Sequence, residues 1–172
     1  MEARVACAQR ECVYDVRVAE IALVNSKRVA LIDDADLPLV SKYTWYLLKS
    51  GPYAYANVNR RGIVLMHRML MRPRKGRQVD HRNGIGLDNR RSNIRTCTHA
   101  QNQMNRKAAR KSSSRLKGVT FRPNSRSPNK YAARGRALGE IFHLGNYATA
   151  IAAHRAYCAW ARKAHGAFFR AS

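Results

Sequence analysis

Gln78-Val79-Asp80-His81-Arg82-Asn83-Gly84, continued by Leu87-Asp88-Asn89-Arg90-Arg91-Ser92-Asn93-Ile94-Arg95 and Gln101-Asn102, puts a carboxylate, an imidazole and carboxamides into one short span. Gln78 to His81 reads as a short strand, Asn83-Gly84 as the turn chemistry after it, and Ile94 to Thr98 as the returning strand. Thr98-His99-Ala100-Gln101 has the Thr-x-x-Gln form of a capping box, so a helix begins at Thr98 and carries Asn102 in its first turn. Strand, loop, strand and helix then bring Asp80, His81 and Asn102 together. Cutting a phosphodiester needs a group that takes a proton from water near neutral pH and a hard-cation site, and these residue types supply both.

The pattern resembles the HNH endonucleases of the ββα-metal fold, in the homing-endonuclease branch whose third motif residue is Asn. The resemblance spans Ile63 to Arg106 and rests on His67-Arg68, Asp80-His81, the Gly84 turn, Asp88-Asn89-Arg90, Ser92-Asn93-Ile94-Arg95 and the downstream Asn102. It implies that His81 is the general base and that Asp80 and Asn102 ligate one divalent cation, Mg²⁺ with Mn²⁺ able to substitute. It also implies that Asn93 holds the loop and orients the base, and that cleavage leaves 5′ phosphate ends. His67 is a secondary catalytic candidate; within the apolar segment Leu65 to Leu70 it reads equally as a packed residue. Asp88 and Asn89 read as caps or turn formers, because short polar side chains bond local backbone well. Asn105 reads as a solvated helix residue, although its closeness to Asn102 leaves the ligand assignment open. Related modules are often braced by zinc, but Cys7, Cys12, Cys97 and Cys158 form no Cys-x-x-Cys pair, so no structural zinc is expected.

Charge names the partner. Of 33 Lys/Arg and 10 Asp/Glu, seven of each lie in residues 1–50, which leaves 26 basic and three acidic residues in 51–172. The whole +23 excess therefore falls downstream of Ser50. Such a field draws polyanions by counterion release, and two of those three acids, Asp80 and Asp88, belong to the motif itself. Double-stranded DNA is the expected partner. No basic amphipathic anchor and no apolar run long enough to span a bilayer is present, so a membrane is not, and no protein partner is evident.

Upstream, Ile21 to Val24 and Val29 to Ile32 flank Asn25-Ser26-Lys27-Arg28 as a hairpin would. Asp33-Asp34-Ala35-Asp36 starts a short helix; these acids resemble a metal cluster, but capping a helix N-terminus is the favoured reading. Tyr43 to Leu47 and Tyr53 to Val58 alternate around Ser50-Gly51-Pro52 as a second hairpin, and core packing of Trp45 and the tyrosines is favoured over base stacking.

From Arg106 to Lys117 the chain becomes a basic linker, continuing the preceding helix for about a turn before Ser112-Ser113-Ser114 lets it flex. Beyond it, Leu116 to Arg122, Lys130 to Arg136 and Glu140 to Gly145 read as three short strands. Thr149 to His165 reads as an Ala-rich helix stopped by Gly166. Lys117-Gly118-Val119, Tyr131-Ala132-Ala133, His143-Leu144-Gly145-Asn146-Tyr147, Ala156-Tyr157 and His165-Gly166-Ala167-Phe168 are similar to the APETALA2-type DNA-binding domain found on phage homing endonucleases and plant transcription factors. That resemblance implies a three-stranded sheet lying in the major groove with the helix behind it, and assigns DNA contact to Lys117, Arg122, Lys130, Arg134 and Arg136. Tyr131 replaces the usual Trp and Thr120 a frequent Arg, so base preference does not carry over.

The sequence thus predicts an α+β protein: a small β-rich N-terminal region with a ββα-metal HNH motif, then a three-stranded antiparallel sheet plus one helix. Its divisions are a loosely ordered arm (1–17), a nuclease domain (18–106), a basic linker (107–115) and a DNA-binding domain (116–172). The function predicted is a divalent-metal-dependent homing-type DNA endonuclease. A non-catalytic DNA-binding regulator with a degenerate HNH shell is the alternative, and a basic RNA-binding protein accounts for the charge but not the motif. Unpaired-looking cysteines and the lack of a secretory signal point to a reducing cytoplasm, which the phage resemblance makes that of an infected bacterium.

Overall fold

Hairpin turns and a single capping box set the order of the elements. The computed structural model describes residues 17–59, 62–108 and 112–171, and the expected arm, Cys7 and Cys12 included, lies outside the described residues apart from Arg17. Strands β1 (Val18–Leu23) and β2 (Ser26–Asp33) pair antiparallel, with Leu23 opposite Ser26. The turn is therefore Val24-Asn25 rather than Asn25 to Arg28. Asn25 explains the tighter turn: its side chain donates to Leu47 O at 3.0 Å and accepts from Leu47 N at 2.7 Å, docking the turn like one more strand residue.

A 3₁₀ turn (Asp34–Asp36) leads into helix α1 (Leu37–Val40). Neither Asp33 nor Asp36 caps it through its side chain, contrary to the sequence reading. Both instead reach Arg91: Asp33 Oδ2 accepts from its backbone N at 2.9 Å, and Asp36 takes its guanidinium at 2.7 and 3.0 Å. The next sheet has the order β3 (Tyr46–Leu47), β4 (Ala54–Val58), β5 (Gly62–Leu65). The third strand was not foreseen; it is short, and Ile63 on it is 64% exposed, so its alternation is faint. Helix α2 (Met66–Met71) follows and buries Met66, His67 and Leu70.

The ββα unit then appears as β6 (Gln78–His81), β7 (Ile94–Cys97) and α3 (His99–Asn105). Thr98 and Gln101 form the reciprocal capping box that the sequence announced. The loop between β6 and β7 is sewn onto β2, with Leu31 N donating to Leu87 O at 2.8 Å and Asn89 N to Leu31 O at 2.7 Å. One apolar core accordingly joins both halves of this region: Ile32, Trp45, Ala56, Met66, Val79 and Ile94 belong to it. Trp45 also donates its indole N–H to Val40 O at 2.9 Å, so it packs rather than stacks on bases. The helix does not run on into the linker, because Arg106 is already extended (ψ 146°).

Strands β8 (Val119–Phe121), β9 (Tyr131–Ala137) and β10 (Glu140–Tyr147) form an antiparallel sheet in the order β10-β9-β8, covered by helix α4 (Ala150–His165). Small residues let the helix approach closely: Ala153 packs on Val119 and Ala133, and a Cβ on Gly135 would lie 2.1 Å from the Trp160 ring. Thr149 caps α4, and Gly166 (φ 51°) ends it. The molecule is α+β, built of small antiparallel sheets and few helices. No helix among the described residues is long and apolar enough to cross a membrane.

Candidate active site

Side chains two apart on a strand share a face, as do those three apart on a helix. Where β6 meets α3 this pairs Gln78 with Asn102 and Asp80 with Asn105. Asn102 Nδ2 donates to Gln78 Oε1 at 2.8 Å. Asn105 Nδ2 donates to Asp80 Oδ1 at 2.8 Å and to His81 O at 2.7 Å. Asn105 is thus buried in the site rather than solvated, and it, not Asn102, is the carboxamide that touches Asp80. Asn102 still lines the same cavity of about 180 Å³ with Asp80, His81 and Asn105. The exposed Arg106 and Lys107 also line that cavity.

Asp80 and Arg95 stand opposite each other in the β6–β7 register, and Arg95 places Nε and Nη2 at 3.0 and 2.8 Å from Asp80 Oδ2. Both are buried, so the pair is cross-strand, desolvated and strongly oriented. The sequence reading placed both strands, but the register that sets Gln78 opposite Cys97, and so Asp80 opposite Arg95, is given by the structure.

His81 follows Asp80 at the end of β6 and lines the same cavity. Its Nε2 lies 3.1 Å from Asn89 Oδ1. Asn89 uses Nδ2 toward two acceptors, Leu87 O and Met66 Sδ, both at 3.3 Å, so its oxygen faces His81 and the proton sits on Nε2. Nδ1 is then the basic lone pair. Burial foremost lowers the His81 pKa, while Asn89, Asp80 and Asp88 oppose that shift. The imidazole is therefore held neutral. Its ring packs on His67 and Tyr53, with centroids at 5.0 and 5.8 Å. His67 is buried against the His81 ring, and its Nδ1 has no hydrogen-bond partner.

Asn93, expected both to hold the loop and to orient the base, does the first. It accepts from Asn83 N at 3.0 Å and donates to Asp88 O at 2.7 Å. The carboxamide that bonds His81 is instead that of Asn89, which the sequence reading had left as a turn former. Asp88 secures the same loop through Arg90 at 2.7 Å and Asn83 at 2.8 Å; those contacts, Arg90 first, hold its carboxyl below the usual range.

The donor set suits a hard divalent cation: one carboxylate and two carboxamides beside a cavity of about 180 Å³, with room for waters and substrate oxygens. No group of three or more His, Cys, Asp or Glu that could hold a metal occurs among the described residues. Cys97 and Cys158 are buried free thiols.

Of the five cations assigned to DNA, Arg134 and Arg136 lie on the sheet face away from α4, since Gly135 between them meets Trp160. Arg122 and Lys130 flank the β8–β9 pair on the same face by register, with Lys130 Nζ also donating to Pro123 O at 3.1 Å. Lys117 differs. It turns inward, its Nζ donating to Met104 O and to Arg170 O, and burial lowers its pKa.

Residues 72–104 match the family model of the HNH endonucleases, a span that contains β6, the loop, β7 and all of α3 but Asn105. The match supports an HNH nuclease domain in this chain, and such a domain implies DNA as substrate. No curated protein and no solved structure matches the chain.

Proposed function

We propose that the chain is a metal-dependent, homing-type DNA endonuclease whose C-terminal APETALA2-like module holds the DNA while the ββα unit cuts it. The observation that carries this is the His81–Asn89 bond beside Asp80 and Asn105, which fixes a neutral imidazole in a pocket rimmed by cations. His81 Nδ1 takes a proton from water, the water oxygen bonds to phosphorus, and the P–O3′ bond breaks, leaving a 5′ phosphate. Asn89 keeps the accepting lone pair aimed during that transfer. Asp80, with a carboxamide oxygen from Asn102 or Asn105, would hold the divalent cation, Mg²⁺ or Mn²⁺. Bound there, it would supply positive charge against the phosphate and the leaving oxygen. Tethering to a DNA-bound module raises the effective concentration of the cutter at its site.

The test is nicking of supercoiled DNA with Mg²⁺, with EDTA as control. His81→Ala should abolish Mg²⁺-dependent nicking while DNA binding persists. Nicking by His81→Ala at the parental rate would remove His81 as the base.

A further inference from the structure

We infer that the segment after α4, Gly166 to Arg170, is part of the cutting centre, and that Arg170 holds the substrate phosphate beside His81. The inference rests on the nuclease reading for its chemistry but on separate residues for its geometry.

The segment is fastened to the ββα unit at several points. Arg95, the partner of Asp80, donates Nη1 to Ala167 O at 2.6 Å, and its guanidinium lies 3.9 Å from the centroid of the Phe168 ring. Phe169 packs with Tyr157 and Cys158 in the core under α4. Lys117 Nζ then donates to Arg170 O at 3.2 Å and to the last turn of α3 through Met104 O. These anchors fall on the neighbours of Arg170 and on its carbonyl, and they deliver its side chain into the cavity that holds Asp80, His81, Asn102 and Asn105.

The guanidinium lies against the turn after β6 so closely that a Cβ on Gly84 would be 1.7 Å from Nη1. Gly84 (φ 67°) is thus both the turn glycine and the space that admits Arg170. Among the described residues that line the cavity the one carboxylate is Asp80, already forked by Arg95, against three cations in Arg106, Lys107 and Arg170. That balance favours an anion. A guanidinium matches phosphate oxygens in two-point geometry and keeps its charge at all working pH values. The DNA-binding module thereby supplies a side chain to the nuclease site, which makes cutting depend on its docking.

The experiment compares the full-length parent with Arg170→Ala and Arg170→Lys, after thermal melts confirm equal folding. Two readouts are taken: single-turnover nicking with saturating protein, and binding of short duplexes that carry either a 5′ phosphate or a 5′ hydroxyl. Loss of a donor aimed at developing charge should slow Arg170→Ala by about 100-fold. Arg170→Lys should regain part of the rate. The parent should prefer phosphorylated ends, and Arg170→Ala should lose that preference. Parental nicking by Arg170→Ala with the preference retained would overturn the proposal, as would a parent indifferent to end phosphorylation. A parent that fails to nick, yet prefers phosphorylated ends only when Arg170 is present, removes the hydrolase reading and leaves the phosphate site standing.

Discussion

Asn89 Oδ1 accepts the Nε2 proton of His81 at 3.1 Å, and Asn89 is itself fully buried. The bond selects the tautomer and aims the ring, so Asn89 acts through His81 rather than on substrate. Asn89→Ala should slow nicking by about 10- to 100-fold, the range typical of a lost general-base contribution. Asn89→Asp places a carboxylate beside the imidazole, raises the His81 pKa and should shift the acid limb of the rate profile upward. Rate profiles of the three proteins check this. An unshifted limb in Asn89→Asp would mean that the bond does not tune the base.

Asn105 and Asn102 divide what the sequence assigned to Asn102 alone. Asn105 touches Asp80, whereas Asn102 touches Gln78. Asn105→Ala should therefore raise the Mn²⁺ concentration needed for half-maximal nicking more than Asn102→Ala does. It should also lower stability by about 1–3 kcal/mol, because it strips the buried Asp80 Oδ1 of its donor, while His81 O keeps the one from Gly84 N. Metal titrations and urea melts on both variants decide it, and the reverse order would restore Asn102 as the ligand.

Much of the ββα unit was legible because its signals are local. The turn at Gly84 closes β6 and the Thr98–Gln101 capping box sets the helix phase, and the structure carries both. The phase of α3 already placed Asn105 on the same face as Asn102, a signal that the short polar span obscured. Asp33 and Asp36 show the opposite limit. Their acidic cluster looks like a helix start, yet their partner Arg91 lies more than 50 residues away, a pairing that no local pattern encodes. Lys117 shows the same limit: in sequence it is one more cation of a basic stretch. Only the docking of α3 and the C-terminal segment turns it inward.

His67 makes stability depend on pH. Burial foremost, with His81 and Arg68 nearby, lowers its pKa from 6.5 to about 3. The unfolded chain takes up this proton on acidification before the native state does. Its contribution is therefore complete above the ordinary value of 6.5 and is lost as pH falls toward about 3. Across that window stability should fall by about 1.4 kcal/mol per pH unit from this group. His67→Phe keeps the ring packing without the proton and should flatten the profile by that amount. Urea unfolding at several pH values reads the slope, and an unchanged slope would assign the acid sensitivity to other groups.

The cations of the C-terminal module separate into two kinds. Arg134 and Arg136 stand opposite His143 and Ile141 in the β9–β10 register, on the face that α4 leaves open. On the proposed reading each would meet a DNA phosphate, and each phosphate contact adds about one to the slope of log affinity against log salt. Arg134→Ala and Arg136→Ala should each lower that slope by about one, with little loss of stability because both side chains are exposed. Lys117 is half-buried and committed to Met104 O and Arg170 O. Lys117→Ala should therefore leave the salt slope unchanged and instead lower the melting temperature. Binding isotherms over a salt series, paired with melts, read both quantities. A slope that drops in Lys117→Ala and stays fixed in the arginine variants would place the DNA on the side of the module where Lys117 lies.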